Sequence, residues 1–304
     1  MENLGYSKPL YILPFDHRAA FAQKFFNKNS IADLTSEEHR LITEYKQIIY
    51  EGFKKAVENG VPKENAAILI DEEFGDEIIK DAKENGFVVL LTTEKSGQEE
   101  FEFQYGADFN THIEKYNPQF VKVLIKYNPE DAEDLKKRQL EKLKLVTDFC
   151  QVKGFKFLLE VLIIPTKKQG ESVSNSKEEF DNTLRPNLTV EMIKQLQVNG
   201  VEPDVWKLEG FDSSEEYKEI VETARADGRG SVGLVILGRG ENEEKVNEWL
   251  RVGKNVVGII GFAVGRTVFW QAILDFRNSV KNREQVIVQI SENFTNFYKI
   301  FTSK

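Results

Sequence analysis

The chain has 304 residues and a formal net charge of −9, with 40% hydrophobic and 30% charged residues. This acidic balance argues against nucleic acid as a general partner but allows an anionic substrate in a local basic pocket. No apolar run reaches the roughly 18–20 residues of a membrane span, and residues 1–5 do not resemble a secretory signal. The one cysteine, Cys150, excludes an internal disulfide and favours a cytoplasmic location, and we expect it to be an inert thiol within a helix.

Eight short apolar runs along the chain are typical of buried parallel strands. They span residues 11–15, 66–70, 87–91, 120–126, 157–164, 204–210, 232–237 and 256–262.

The segments between the runs are mostly predicted to be helical. Helices are expected at residues 35–59, in a short stretch before Gly86, and at residues 129–152, 188–198, 213–226 and 241–252, with two more within 267–304. The first begins with capping-box spacing at residues 35–38 and ends at Gly60. A polar stretch is expected up to residues 117–118. A long polar loop is expected at residues 166–187, which we interpret as either a lid or a disordered insertion.

Alternating strands and helices predict a parallel sheet, and eight such units predict an α/β fold, a (β/α)₈ TIM barrel. We expect one domain over residues 1–304, with an extra helix at the C-terminus. An open doubly wound sheet is the alternative, but it would normally have a glycine-rich first turn. Residues 16–18, Asp-His-Arg, do not fit that pattern.

Charged side chains within or just after the predicted strands are the candidates for chemistry, because the carboxyl ends of barrel strands face the active site. These candidates are Asp16, Arg18, Asp71, Glu94, Lys122, Glu160 and Lys207. Lys207 lies inside an apolar run, where an ammonium loses its hydration. Alone it fits a paired structural lysine better than a nucleophile. Lys122 and Glu160, on the two preceding runs, favour a shared site and reverse that balance, although a structural ion pair stays open.

Glycine and arginine residues follow the last two strands and predict an anion site. They are Gly238, Arg239 and Gly240 after the seventh run and Gly265 and Arg266 after the eighth. Glycine lets backbone N–H groups approach an anion, and barrels often bind phosphate at this position. Asp71 is equally well explained as a helix cap, and Arg239 as a solvated residue.

Metal and serine chemistry have less support. His17, His39 and His112 are too scattered for a three-histidine zinc site. His17 is open to a substrate contact or a packing role, and His39 is expected at the surface. A magnesium site on Asp71, Glu94 and Glu160 is an alternative. No serine lies on a strand-to-helix elbow, which argues against a Ser-His-Asp triad.

Several of these segments resemble the Schiff-base aldolases of the tagatose-bisphosphate aldolase type. The sequence is closest to the 5-dehydro-2-deoxyphosphogluconate aldolase domain of inositol catabolism, which is often fused behind 5-dehydro-2-deoxygluconokinase. The matching segments are PFDHR (14–18), ILID (68–71), EKSG (94–97), RP (185–186), EPDVWK (202–207) and GFAVGR (261–266). Two positions depart from the bisphosphate aldolases: His17 replaces a glutamine, and residues 238–240 replace a serine-containing turn.

The resemblance implies a lyase without a cofactor, a class I aldolase in which Lys207 forms the Schiff base. Lys122 would keep Lys207 deprotonated, Glu160 would shuttle protons, and Asp16 would orient a substrate hydroxyl. Phosphate would bind Arg239, Gly240, Gly265 and Arg266, with Arg18 as a further anion contact.

The implied substrate is a phosphosugar, 5-dehydro-2-deoxy-D-gluconate 6-phosphate, cleaved to dihydroxyacetone phosphate and malonate semialdehyde. Alternatives are a ketose-bisphosphate or sulfosugar-phosphate aldolase, a magnesium-dependent lyase, or a non-catalytic barrel that binds a sugar phosphate. Barrel aldolases often assemble, so a homo-oligomer is compatible with the resemblance, but the sequence shows no interface signature.

Overall fold

The computed structural model describes residues 4–240 and 242–303. The N-terminal residues 1–3, the predicted helix start at Glu241 and the last residue, Lys304, lie outside the described residues. Within the described part, eight parallel strands close into a barrel in chain order, because β8 pairs with β1 as well as with β7. The predicted (β/α)₈ barrel is confirmed. The alternative of an open sheet is wrong.

The strands follow the predicted apolar runs to within three residues at either end. They are β1 (Leu10–Pro14), β2 (Ala66–Ile70), β3 (Val88–Thr92), β4 (Phe120–Tyr127), β5 (Lys156–Ile163), β6 (Val205–Glu209), β7 (Gly233–Leu237) and β8 (Ile259–Ala263).

Helices occupy most of the chain between the strands and after the last one. They are α1 (Ala19–Phe26), α2 (Ser36–Glu58), α3 (Glu72–Glu84), α4 (Phe109–Tyr116), α5 (Glu133–Lys153), α6 (Lys167–Ser172), α7 (Lys177–Thr183), α8 (Arg185–Val198), α9 (Ser214–Arg225), α10 (Glu243–Gly253), α11 (Arg266–Arg277) and α12 (Arg283–Thr302).

The long loop predicted at residues 166–187 is wrong, because most of it is helical. Thr166 begins α6 with a capping box, in which its side chain accepts from the backbone N–H of Gln169 and the Gln169 side chain accepts in return. The Ser176 side chain caps α7 by accepting a hydrogen bond from the backbone N–H of Glu179. These short helices are polar enough to read as a loop. Helices α1 and α4, also missed, are only eight residues each.

The barrel interior is apolar below and charged above, and this layering positions the site. On β4, β5 and β6, the apolar residues Phe120, Leu158 and Val205 fill the interior and are buried completely. Alternate residues of a strand face the same side. Two positions further along the same strands lie Lys122, Glu160 and Lys207, which therefore form the next layer toward the carboxyl ends.

Other features of the sequence have clear places in the structure. Cys150 is a buried thiol on α5, as expected, and burial raises its pKa. Among the described residues, no helix combines the length and the apolar character that crossing a membrane would require.

Candidate active site

Lys207 and Glu160 form a buried pair at the carboxyl end of the barrel. They are register partners on the neighbouring strands β5 and β6. The Nζ atom of Lys207 lies 2.7 Å from Oε2 of Glu160, and the two residues are 4% and 6% exposed. Parallel pairing therefore delivers an amine and a carboxylate to the same point.

Lys122 binds three carboxylates behind this pair. Its Nζ atom lies 2.8 Å from Asp16 Oδ2, 2.6 Å from Glu94 Oε1 and 3.1 Å from Glu160 Oε2. An ammonium has three N–H donors, so this lysine is fully engaged. Glu160 Oε2 is consequently shared between Lys122 and Lys207.

The charges of the cluster stabilise one another. Burial would raise the pKa of Asp16, but Lys122, with His17 and Lys207, holds it well below its usual range. Burial acts the same way on Glu160, and Lys207 and then Lys122 again keep its pKa low. Burial opposes the charged form of Lys122, but its carboxylate partners outweigh burial and raise its pKa above the usual range. Asp16 and Glu160 are therefore ionised at neutral pH.

A cavity of about 240 Å³ opens above the pair and gives Lys207 access to a ligand. Its lining comprises Pro14, His17, Leu124, Glu160, Leu162, Lys207, Leu237, Gly238, Arg239, Gly240, Ala263, Gly265, Arg266 and Thr267. The floor thus carries an amine and a carboxylate, while the rim carries both predicted glycine–arginine segments. Such a cavity suits a small molecule with a reactive group at one point and an anion at another.

His17 is a neutral polar group in the wall of this cavity. Burial lowers its pKa to about 4, with Arg266 and Lys207 adding to the effect and Asp16 opposing it. Its Nδ1 atom is buried without a hydrogen-bond partner among the described residues, and its ring lies edge-on to Phe269. An uncharged imidazole with a free nitrogen is suited to hydrogen-bond a hydroxyl.

The glycines of the rim allow the strand ends to pack closely. A Cβ atom at Gly265 would lie 2.2 Å from the carbonyl oxygen of Pro14, on β1. Gly240 has a φ of +77°, and a Cβ there would lie 2.5 Å from Nη2 of Arg266. Side chains at either position would displace the backbone or the arginine that forms the rim.

The two rim arginines differ in what they bind. Nη1 of Arg239 lies 2.5 Å from Glu209 Oε1 and 3.4 Å from Asp181 Oδ1. Arg266 donates from Nη2 to the backbone oxygen of Arg239 at 2.7 Å and makes no ion pair with any described residue. It is exposed, and it begins α11, whose N-terminus has no side-chain cap. Arg266 and this helix end are thus the electropositive part of the rim.

Arg18 and Asp71 are held outside the cluster by other partners. Arg18 is 3% exposed and donates to the backbone oxygen of Glu94 and the side chain of Gln104. Asp71 caps α3 by accepting from the N–H of Phe74, and its other oxygen pairs with the buried Lys46. The helix-cap interpretation of Asp71 is confirmed. The contact of Glu94 with the cluster runs through Lys122.

The predicted magnesium ligands do not come together. No group of three or more metal-binding side chains is found in the described parts of the chain. Asp71 is engaged by Lys46, while Glu94 and Glu160 are bridged by the ammonium of Lys122. The predicted magnesium site on Asp71, Glu94 and Glu160 is therefore wrong, because these three side chains do not converge on one point. His39 and His112 pair instead with Glu73 and Glu72 on α3.

Three charged residues beside the rim were not predicted as site residues. Glu209 follows Lys207 by two positions and so shares its strand face, a signal that could have been used. Asp181 lies on α7, inside the segment that the sequence predicts to be a polar loop. Arg185, noted only for its place in a matching segment, begins α8 and binds Asp181 at 2.9 Å.

The comparison with solved structures supports the fold, and none of the comparisons identifies the chemistry. A family model described as an uncharacterized protein conserved in bacteria (DUF2090) matches residues 5–304. The crystal structure of Cgl0159 from Corynebacterium glutamicum (Brevibacterium flavum) is similar, with a TM-score of 0.57 at 14% identity. The alignment covers 97% of this chain and 88% of that chain. At this identity the likeness concerns the fold alone. A search of curated proteins finds no match.

Proposed function

The chain belongs to the DUF2090 family, and we propose that it is a class I aldolase that cleaves a phosphorylated keto sugar or keto acid through a Schiff base on Lys207. The observation that carries the proposal is the buried Lys207–Glu160 pair, 2.7 Å apart, on the floor of a cavity. The rim of this cavity carries Arg266, which makes no ion pair with any described residue. A (β/α)₈ barrel is a common enzyme fold, with the reaction at this end of the strands.

The first step is attack of the Lys207 amine on the substrate ketone. The carbinolamine then loses water, and the product is an iminium ion that carries the positive charge of the former ammonium. Glu160 is suited to stabilise this ion, because its carboxylate already lies against the nitrogen.

Glu160 is also the group placed to move protons. Its pKa is held low by Lys207 and Lys122. When Lys207 gives up its proton, one of these two charges disappears and Glu160 becomes a better acceptor. Proton transfer and nucleophile activation are therefore coupled within one ion pair.

Cleavage then follows from the iminium as an electron sink. A base removes the proton of the β-hydroxyl, the bond between the α and β carbons breaks, and its electrons move into the iminium. An aldehyde leaves and an enamine remains, which takes a proton at carbon and is hydrolysed by water to free Lys207. Atoms and electrons balance without a redox partner or a cofactor.

Lys122 has a supporting role in this scheme. Its ammonium is surrounded by the carboxylates of Asp16, Glu94 and Glu160, and it does not line the cavity. It holds Glu160 in place and neutralises part of the surplus negative charge. Asp16 is placed by the same contact.

Arg266 and the N-terminus of α11 are the proposed phosphate ligands, with Gly240 and Gly265 bringing the backbone close. Lys207 and Arg266 line the same cavity, which supports one ligand that places its ketone at Lys207 and its phosphate at Arg266. The finer assignment, 5-dehydro-2-deoxy-D-gluconate 6-phosphate cleaved to dihydroxyacetone phosphate and malonate semialdehyde, rests on the sequence resemblance.

Borohydride trapping with dihydroxyacetone phosphate tests the proposal. Reduction should leave a stable adduct on Lys207, found by peptide mass mapping, and EDTA should not reduce the yield. A protein that forms no adduct, or that remains active as the Lys207→Ala variant, is not a Schiff-base aldolase. Activity that depends on an added divalent cation would indicate the metal-dependent reaction.

A further inference from the structure

A second group of charges, in which Arg185 and Glu209 are buried and Asp181 and Arg239 are partly exposed, lies beside the rim of the cavity. It joins α7 to residues 238–240, which follow β7. Asp181 Oδ1 accepts a hydrogen bond from Arg185 Nε at 2.9 Å and one from Arg239 Nη1 at 3.4 Å. Glu209 Oε1 lies 2.5 Å from the same Nη1 atom. The carboxylate of Asp181, on α7, is therefore shared by two guanidinium groups.

Arg185 is fixed in place but has a donor left over. It is 3% exposed, its Nη2 atom donates to the backbone oxygen of Gly210 at 2.8 Å, and its guanidinium lies 4.6 Å from the ring centre of Phe211. Its Nη1 atom is buried and has no hydrogen-bond partner in the described parts of the chain. A buried donor without a partner is unfavourable and calls for an explanation.

We infer that Arg185 and Arg239 form a second anion subsite, in which an anionic group of the ligand replaces the side chain of Asp181. A phosphate has more oxygen atoms than the carboxylate of Asp181, so it can engage both guanidinium groups and the Nη1 atom of Arg185 together. Arg239 also lines the cavity, so the subsite adjoins the space above Lys207.

Of the two contacts that Asp181 makes with arginines, the one with Arg239 is expected to break more easily when an anion binds. At 3.4 Å it is long for a hydrogen bond between charged groups, whereas the contact with Arg185 is of ordinary length. Asp181 lies on a helix of only seven residues, reached through a turn in which Ser174 and Asn175 have φ angles of 52° and 56°.

The inference deepens the proposed function, on which it rests for the identity of the ligand. It assigns the substrate to the keto compounds that carry a phosphate beside the ketone and a second anionic group at the far end. Arg266 and the N-terminus of α11 would bind the first anion, and Arg185 and Arg239 the second. The two subsites are linked, because Arg266 donates to the backbone oxygen of Arg239.

Isothermal titration calorimetry of the 304-residue chain with inorganic phosphate tests whether phosphate replaces Asp181. Asp181→Asn keeps the shape of the side chain but removes the competing charge, so phosphate should bind about tenfold more tightly. The gain should vanish in Asp181→Asn/Arg239→Gln. Glu178→Gln removes one charge from an exposed position of the same helix and is the matched control, with affinity expected to stay as in the wild type. Equal or weaker binding by Asp181→Asn would overturn the inference.

Hydrogen exchange on the unmodified chain provides a second measurement that does not depend on a variant folding. The amides of α7 should exchange faster in saturating phosphate than in chloride at the same ionic strength, because phosphate releases Asp181 from the two arginines. Bound phosphate with unchanged exchange in α7, or no phosphate binding at all, contradicts the inference. Neither measurement uses catalysis, so a failure here leaves the Lys207 adduct as a separate test of the aldolase.

Discussion

Two regions of the molecule each bury a lysine–carboxylate pair: the layer between the barrel and its helices, and the mouth of the barrel. They differ in whether a ligand can reach the lysine. Lys46 on α2 is completely buried, pairs with Asp71 and lies 5.7 and 5.1 Å from the ring centres of Phe21 and Phe74. Lys207 has a similar partner in Glu160 but borders a cavity. Burial lowers the pKa of Lys46 although Asp71 opposes it.

A buried lysine beside a carboxylate is therefore not a nucleophile by that fact alone. Lys46 has aromatic rings on its flanks, and the other oxygen of Asp71 accepts the hydrogen bond that caps α3. Glu160, by contrast, joins Lys207 to Lys122 and through it to Asp16 and Glu94. Space for a substrate and a shared carboxylate that can pass protons distinguish the mouth from the outer layer.

Replacing Lys207 should have the largest effect on activity. Lys207→Ala removes the nucleophile, so turnover of a phosphorylated ketose should fall roughly a thousandfold or more and the borohydride adduct should be lost. Intact-mass spectrometry after reduction is the measurement. Lys46→Met is the matched control, since it removes a buried lysine from the other region and should still form the adduct.

Glu160→Gln should have the next largest effect. It preserves the shape and leaves Lys207 without its proton acceptor, so kcat should fall about a hundredfold, within the range that general acid–base groups contribute. KM should change little. An unchanged kcat with a raised KM would instead assign Glu160 to binding.

Lys46→Met should act on stability rather than on chemistry. It leaves the buried carboxylate of Asp71 unpaired, which costs about 3–5 kcal/mol in comparable cases. The free energy of unfolding from urea denaturation measures this cost. Loss of the Lys207 adduct in a folded Lys46→Met protein would erase the distinction drawn between the two regions.

Arg266→Gln should weaken binding of the phosphorylated substrate at the rim. Because this arginine has no ion pair among the described residues, its charge is available to the phosphate. KM should rise about tenfold, with kcat less affected. Arg251→Gln, at an exposed position on α10, is the control for loss of one positive charge. Equal effects of the two variants would argue for a general charge effect.

His17 should produce the smallest effect, a pH dependence of stability. Its folded pKa of about 4 lies below the ordinary 6.5, so the unfolded chain binds the proton first as the pH falls. The contribution of neutral His17 is complete above about pH 6.5 and is lost as the pH falls to about 4, by roughly 1–3 kcal/mol. His17→Gln should flatten the unfolding free energy over this range. An identical pH profile would show that His17 is not buried as a neutral group.

The sequence by itself determined the barrel and the position of its charged layer. Apolar runs, helix spacing and capping signals are local, so eight strands and most long helices could be predicted from neighbouring residues. Lys122, Glu160 and Lys207 stood out for the same reason, as charges within apolar strands. The glycine–arginine segments after β7 and β8 were likewise visible as local composition.

Only the tertiary structure decided which charges meet. Asp71 and Glu94 look alike in sequence, yet Lys46 on α2 takes the first and Lys122 on β4 takes the second. The contact of Asp181 with Arg239 joins residues 58 positions apart through a helix that resembles a polar loop. Such pairings depend on strand register and on how the helices pack against the barrel. Those are long-range contacts that no local pattern encodes.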